Sequence, residues 1–304
     1  MDTRWLEDFV SLAETGSFSR SALARHVTQP AFSRRIQALE AWLGVDLVDR
    51  SAYPTRLTPA GEVFRERAEA LLAQLQEARM LVRDHVPSAH RVLDIATTHT
   101  LSLTFMPKWL EALQGVLGRM DVKLRTGNVH DAAMALSEGA SDLLVCYHHA
   151  RYPLSLASPR YEALRIGTEW MEPFSRPDEA GRPLHTLPGT ADQPTPYLSY
   201  TRDAYFGRMA DLILEQASEP AHLDKRYETD MAEALKMMAI EGHGVAFLPL
   251  SAVSRELEAG RLVPASPGHR AEIEIRIYRD RSGTAGGGRP DLEALWAHLA
   301  TLGI

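Results

Sequence analysis

Along the first part of the chain, apolar positions recur at helical spacing and are interrupted by short polar joints. Trp5, Leu6, Phe9 and Leu12 mark one face of a helix over Arg4 to Leu12. Ser17 to Arg25 reads as a second, short helix, with Ser17 or Ser19 as its N-cap and Val27 packing behind it. His26 and Val27 turn the chain. Thr28 is placed to cap a third helix starting Gln29-Pro30, since a proline in the first turn removes only a donor that has no intrahelical partner. In that helix Phe32, Ile36, Leu39 and Leu43 follow at steps of four, three and four, so one face is buried, and Gly44 ends it.

Thr58-Pro59 repeats the cap-and-proline start and opens a long helix reaching about Val86. Phe64, Ala68, Leu71, Leu75, Ala78 and Val82 alternate steps of four and three, a heptad seam that predicts a partner helix and hence a homodimer. Packing onto the chain's own C-terminal region is the alternative. Beyond Pro87-Ser88-Ala89-His90 the pattern changes. Val92 to Thr97 reads as a strand, Leu103 to Leu117 as a helix interrupted early by Pro107, Val122 to Arg125 as a strand, Val129 to Glu138 as a helix and Asp142 to Tyr147 as a buried strand. This βαβαβ order is that of a parallel sheet in an α/β domain. A loop rich in proline, glycine and polar residues spans Ser175 to Pro196. It is followed by helices at Tyr205 to Gln216 and Met231 to Glu241, strands at Val245 to Leu248 and Ala271 to Arg279, a low-complexity turn at Ser282 to Gly288, and a last helix at Asp291 to Leu302.

The polar face of the third helix carries Gln29, Ser33, Arg34 and Gln37, side chains suited to phosphates and base edges, arginine favouring guanine and glutamine adenine. Arg50-Ser51-Ala52-Tyr53-Pro54-Thr55-Arg56 is a short turn flanked by arginines, fit to be a wing on phosphate or in the minor groove. Helix, turn, helix and wing together point to double-stranded DNA, with Ser19, Arg20, Thr28, Gln29, Pro30, Ser33, Arg34, Arg35, Gln37, Arg50 and Arg56 as the expected contact set. A helical hairpin with solvated arginines is the plainer alternative.

Composition sharpens this picture. The 304 residues have room for two or three domains, and 45% hydrophobic content lets each bury a core. A formal net charge of -7 argues against nucleic acid for the chain as a whole. Locally the balance reverses: from Arg20 to Arg56 there are six arginines against three acids, and no lysine precedes Lys108. Such a module suits directed phosphate and base contacts, while the acidic remainder repels DNA. Cys146 is the single cysteine, so no intrachain disulfide exists, and with no export signal or membrane-length apolar run a cytoplasmic protein without a membrane partner is expected.

Ser17-Phe18 with Ala22 and Ala24, then Val27-Thr28-Gln29-Pro30-Ala31-Phe32-Ser33-Arg34-Arg35-Ile36, Leu39-Glu40, Leu43-Gly44-Val45, Leu47, Arg50 and Leu57-Thr58-Pro59-Ala60-Gly61 resemble the LysR-type transcriptional regulators. Val48 departs from the family's usual phenylalanine, and Gly242-His243-Gly244-Val245-Ala246-Phe247-Leu248-Pro249 resembles its glycine-rich turn near the effector cleft. The resemblance covers essentially the whole chain. It implies an α/β protein with a winged helix-turn-helix (1–58), a linker helix (59–87) and a regulatory region (88–304). That region would be two periplasmic-binding-protein-like subdomains, about 88–161 with 268–304 and about 162–267, joined by two crossover strands. It further implies a homotetramer on an inverted-repeat promoter site, often bending the DNA, with a small-molecule effector between the subdomains and RNA polymerase as a further partner.

Thr97-Thr98-His99-Thr100 leaves a strand and enters a helix, so hydroxyls and free backbone N–H groups would cradle an anion such as a carboxylate, with Thr98, Thr100 and Ser102 in the set. Under the family arrangement Thr201 and Arg202 line the opposite wall, arginine gripping the carboxylate. Asn128, Tyr147 and Phe247 are further effector-binding expectations at strand ends, and capping or core packing is the alternative for each. Thr98 to Leu103 and Pro196 to Arg208 also resemble the family's hypochlorite-responsive branch, which implies sensing by methionine oxidation. Met231, Met237 and Met238 would serve, with helix core as the alternative, although Phe206 stands where that branch has methionine in Tyr-X-Gly-Arg. Cys146-Tyr147-His148-His149 is poorly spaced for one metal site, because strand alternation splits it across two faces; Cys146 reads as a buried core thiol. No nucleophile elbow, phosphate loop or zinc-protease motif occurs, so neither an enzyme nor a cofactor is expected. A small-molecule enzyme or carrier on the same α/β domains would have to work without DNA.

Overall fold

The Asp2 side chain accepts a hydrogen bond from the backbone N–H of Arg4 at 3.0 Å and so starts α1 (Thr3–Thr15), whose Leu6, Phe9 and Leu12 are buried. The structure is a computed structural model describing residues 2–25, 27–50, 55–84, 92–154, 156, 160–266, 268–281 and 289–302. It divides into two compact units, Met1–Pro87 and Ser88–Ile304. His26, the wing tip Ser51 to Pro54, the expected helix end at Val86 with the Pro87-to-His90 joint, and the turn Ser282 to Gly288 lie outside the described residues. Among those described, no helix is long and apolar enough to cross a membrane.

In the first unit Ser17 caps α2 (Phe18–Ala24), accepting from the N–H of Arg20. Thr28 occupies the cap position of α3 (Gln29–Leu43) with extended backbone, but its hydroxyl makes no cap bond; Pro30 in the first turn has no N–H to offer, and the Thr28 side chain is exposed. Phe32, Ile36 and Leu39 pack inward against Phe9 and Leu12, and Phe18 meets Phe32 edge-on at 6.1 Å. A two-stranded wing follows, β1 (Val48–Asp49) paired with β2 (Arg56–Leu57). Thr58 closes its base by donating to the Asp46 carbonyl at 2.8 Å and accepting from the Gly61 N–H at 3.0 Å. Gly61 must be glycine, since a Cβ there would lie 2.1 Å from the Leu47 carbonyl oxygen. The long helix α4 (Pro59–Asp84) begins here. Its Phe64 and Ala68 pack into the core of this unit, Phe64 at 5.3 Å from Phe9, so the front of the expected seam is spent within the chain. Leu71, Leu75 and Ala78 are exposed, and the Val82 side chain lies outside what is described.

The second unit is one nine-stranded sheet with helices on it. β3 (Val92–Thr98) runs parallel to β4 (Asp121–Gly127) and β5 (Leu143–His148), with α5 (His99–Thr104), α6 (Met106–Leu117) and α7 (Val129–Ser137) as crossovers. The helix expected from Leu103 starts at His99 and is broken at Phe105, just before Pro107. A 15-residue strand β6 (Tyr161–Ser175) leads into the second half, made of β7 (Thr195–Tyr200), α8 (Tyr205–Gln216), β8 (Leu223–Thr229), α9 (Ala232–Ile240), β9 (Val245–Pro249), α10 (Leu250–Glu258) and the short β10 (Val263–Pro264). β11 (Ala271–Asp280) returns antiparallel to β6 and pairs with β5, and α11 (Pro290–Leu302) ends the chain. The strand order β4-β3-β5-β11-β6-β9-β7-β8 is therefore two parallel halves joined through an antiparallel pair of long strands.

Candidate DNA-reading surface and effector cleft

The arginines of the first unit fall into two sets. Asp8 is fully buried and would be an uncompensated charge without partners. Arg25 Nε reaches one of its oxygens at 3.0 Å and Arg35 Nη1 the other at 3.2 Å. Glu40, also buried, accepts from the N–H groups of Leu47 (3.0 Å) and Val48 (3.1 Å) and from Arg50 Nη2 at 2.7 Å, and the Arg50 guanidinium lies over the Phe18 ring at 5.6 Å. Arg35 and Arg50, expected on DNA from sequence, each pair with a buried carboxylate, Arg35 half-buried and Arg50 still exposed. Arg34 and Arg56 are exposed and make no ion pair among the described residues. Arg20, exposed, donates to the Thr15 carbonyl. Ser19, Thr28, Gln29, Pro30 and Gln37 are exposed and Ser33 is half-buried. Glu40, which holds the base of the wing onto α3, was not singled out from sequence; its signal is a carboxylate on the otherwise apolar face of that helix.

In the second unit the sites expected for an effector separate. The Asn128 side chain caps α7, accepting from the Asp131 N–H at 2.9 Å, and the Ser102 hydroxyl donates to the His99 carbonyl at 2.7 Å. Phe247 is fully buried and packs edge-on to Tyr197 at 6.2 Å, so it is core. Arg202 is exposed and unpaired among the described residues, whereas Thr100 and Thr201 are half-buried, the latter donating its N–H to the Thr229 carbonyl at 3.0 Å.

Several hydroxyls of this unit are buried. Thr98 caps α5 by backbone conformation only, and its Oγ1, like that of Thr97, is buried without a hydrogen-bond partner. Thr97 pairs in register with Val145, which places it on the sheet face of Tyr147. Tyr147 is buried between the two halves: its ring stacks on Tyr205 at 6.3 Å and meets Phe206 at 5.0 Å, and Phe206 in turn meets Tyr200 at 5.7 Å. The hydroxyls of Tyr200 and Tyr205 are likewise buried without partners among the described residues, and that of Tyr147 has the Thr104 hydroxyl beside it. Burial raises the pKa of all three, and for Tyr147 the nearby Glu169 carboxylate adds to the effect while Thr104 opposes it. At the edge, Arg208 lies over the Tyr152 ring at 5.7 Å.

Glu169, on β6, is itself buried. It accepts from the N–H groups of Trp170 (2.9 Å) and Ser251 (3.3 Å) and from the Ser251 hydroxyl at the start of α10, yet desolvation still raises its pKa. Neither Glu169 nor the tyrosines at 200 and 205 were assigned a role from sequence; they come from distant segments that share no short motif. Cys146 is fully buried and its thiol pKa is pushed up by desolvation. His148 Nδ1 lies 3.2 Å from the Tyr278 hydroxyl. The helix-core alternative fails for Met231 and Met237, which are exposed at 47% and 51%; Met238 is partly buried against the core.

Comparison with known proteins places both units. Residues 3–62 match the bacterial regulatory helix-turn-helix protein of the lysR family, and residues 88–302 match the LysR substrate binding domain. The chain is 32% identical over 304 residues to the HTH-type transcriptional regulator YjiE of Escherichia coli (strain K12), covering 100% of this chain and 96% of the relative. Full-length HypT from Salmonella typhimurium, a hypochlorite-specific LysR-type transcriptional regulator, superposes with a TM-score of 0.58 at 30% identity, over 99% of this chain and 98% of that one. DarR of Vibrio fischeri, solved in complex with DNA, does so with a TM-score of 0.58 at 31% identity, over 98% of each chain.

Proposed function

The chain belongs to the LysR family of DNA-binding transcriptional regulators, and from that premise we propose how its own residues divide the work. Members of this family are regulators and not enzymes; they bind promoter DNA and small-molecule effectors and oligomerise. In this chain we assign DNA reading to residues 1–58, with Arg34, Gln29 and Gln37 toward base edges and Arg20, Arg56, Ser19, Thr28 and Ser33 toward phosphates. Residues 59–87 would pair two copies through Leu71 and Leu75, two such dimers would form a tetramer, and 88–304 would hold the effector between its halves. The site of action is DNA in the cytoplasm, with RNA polymerase met at the promoter.

The observation that carries this reading is that Arg34 on the recognition helix, Arg20 on α2 and Arg56 on the wing are all exposed without an ion pair among the described residues, while Arg25, Arg35 and Arg50 pair with Asp8 and Glu40. Genomic footprinting of the full-length protein tests it. The expected result is protection of pseudo-palindromic sites whose half-sites lie about one helical turn, or multiples of it, apart; protection without dyad symmetry would remove the dimer. A second reading, in which oxidation of Met231 is the signal, is favoured by that residue's exposure at the start of α9. The same footprint taken with and without hypochlorite separates the two readings, since only the second requires occupancy to change with oxidant.

A further inference from the structure

Asp8 lies on the buried face of α1 among Leu6, Phe9 and Leu12, and each of its carboxylate oxygens goes to a different element. Oδ1 accepts from Arg25 Nε at 3.0 Å, at the end of α2, and Oδ2 from Arg35 Nη1 at 3.2 Å, in the second turn of α3. Glu7, the residue before Asp8, takes another nitrogen of Arg25. Burial by itself would lower the Arg25 pKa, yet the Asp8 and Glu7 carboxylates outweigh it and raise it. Two carboxylates on α1 thus face two guanidiniums, one from each limb of the helix-turn-helix.

As a source of stability this cluster does little, because desolvating buried charges offsets most of their attraction and apolar side chains of similar volume would hold the fold as well. What it supplies is direction. Phe32, Ile36 and Leu39 press α3 onto the core, but apolar contact is non-directional and leaves the helix some freedom to roll about its axis. A carboxylate with one guanidinium on each oxygen has fixed geometry and removes that freedom. Arg34 lies about 100° round the helix from Arg35, so the roll that points Arg35 at Asp8 is the one that turns Arg34 outward.

We propose that Asp8 is a positioning residue for sequence-specific DNA reading: by holding Arg25 and Arg35 it sets how α3 lies against α2 and which of its side chains face the base edges. The inference rests on the assignment of DNA reading to α3 made above. Asp8 itself touches no DNA and acts through the two arginines. A second effect follows from the same contact. Arg35 is half-buried on the helix that enters the groove, and without Asp8 its guanidinium is free to take a phosphate at any sequence. Loss of Asp8 therefore weakens base reading by Arg34, Gln29 and Gln37 while it strengthens attraction to DNA in general.

The test titrates full-length protein by fluorescence anisotropy onto the footprinted site and onto a scrambled duplex of equal length, over a range of salt concentrations. Asp8→Asn keeps the size of the side chain and should lower the ratio of specific to non-specific affinity about tenfold, the scale of one misread base pair. On the scrambled duplex its salt dependence should steepen by about 0.9 for each subunit bound, the signature of one added phosphate contact. Arg35→Gln should lower the ratio without changing the slope, and it carries the test by itself where Asp8→Asn does not fold. The two changes combined should lose less than the product of their separate losses, because one acts through the other. An unchanged ratio in either single variant overturns the proposal, as does an equal loss of affinity on both duplexes with a lowered melting midpoint, which marks a merely structural role. A flatter slope in Arg35→Gln means that Arg35 itself meets phosphate, and overturns it too. Arg34→Ala, run beside them, separates the two readings. If it loses the preference while Asp8→Asn keeps it, DNA reading by α3 stands and the role of Asp8 falls; if both keep it, both readings fall.

Discussion

Arg34 and Arg35 are adjacent in sequence and have opposite surroundings, because a step of one residue turns about 100° around a helix. Arg34 is exposed without an ion pair among the described residues, while Arg35 reaches a fully buried Asp8 at 3.2 Å. Arg34→Ala should therefore lose about 1–3 kcal/mol of affinity for the protected site in a fluorescence-anisotropy titration if it makes a base contact, with the melting midpoint unchanged. Unchanged affinity would take Arg34 out of the interface. Which arginines lie on the polar face of α3 was legible from periodicity alone. That Arg35 and Arg50 are claimed from within was not, because Asp8 lies 27 positions from Arg35 in the chain. The cap residues show the same limit: Ser17 caps as local spacing suggests, whereas the Thr28 hydroxyl makes no cap bond. Asn128 sits at a strand end, as read, yet serves as a cap, and Phe247 lies in the middle of β9 as core.

At the scale of elements, legibility followed amphipathicity. The helices α1, α3 and α8 and the strand β11 have regular apolar periods, β3 and β5 are short apolar runs buried on both faces, and all were read nearly to their ends. β6 was missed because it is long and unevenly buried: Glu162, Arg165 and Glu169 interrupt it, and its register with β11 slips opposite Ile275 and Arg276. β8, Leu-Asp-Lys-Arg-Tyr-Glu-Thr, lies at a sheet edge with most of its side chains exposed, so no alternation marks it. The heptad pattern of α4 was legible, but its use was only half so. Phe64 and Ala68 serve the core of the first unit, and Leu71 and Leu75 are 45% and 48% exposed, where the proposed partner helix would cover them. Leu71→Asp should convert the dimer to a lower-mass species in analytical ultracentrifugation while both units keep their melting transitions. A dimer that survives it places the contact elsewhere.

For the molecule as a whole, the division at Pro87 gives two units with separate cores. Residues 88–304 alone should melt at the midpoint of the regulatory transition in the full chain and should not bind the footprinted DNA. A fragment that unfolds would mean that the regulatory core depends on the first unit. The fold class and the kind of partner were legible in the sequence because the winged helix-turn-helix is built from local signals. The aromatic cluster between the halves was not, since Tyr147 on β5, Tyr200 on β7 and Tyr205 and Phe206 on α8 come from segments far apart in the chain.

The antiparallel pair at the centre of the sheet also sets an order of events during synthesis. Everything in the second half except its pairing to β11 lies between Tyr161 and Pro264 and can close once that stretch has left the ribosome. The first half cannot. Leu143 and Val145 on β5 wait for Ile273, Ile275 and Ile277 on β11 and for Leu295 and Trp296 on α11, all made after the second half. While the second half is being made the nascent chain therefore carries an open apolar strand edge, and the first half, begun earlier and closed later, is where a slowed ribosome or a missing chaperone would expose the protein to aggregation.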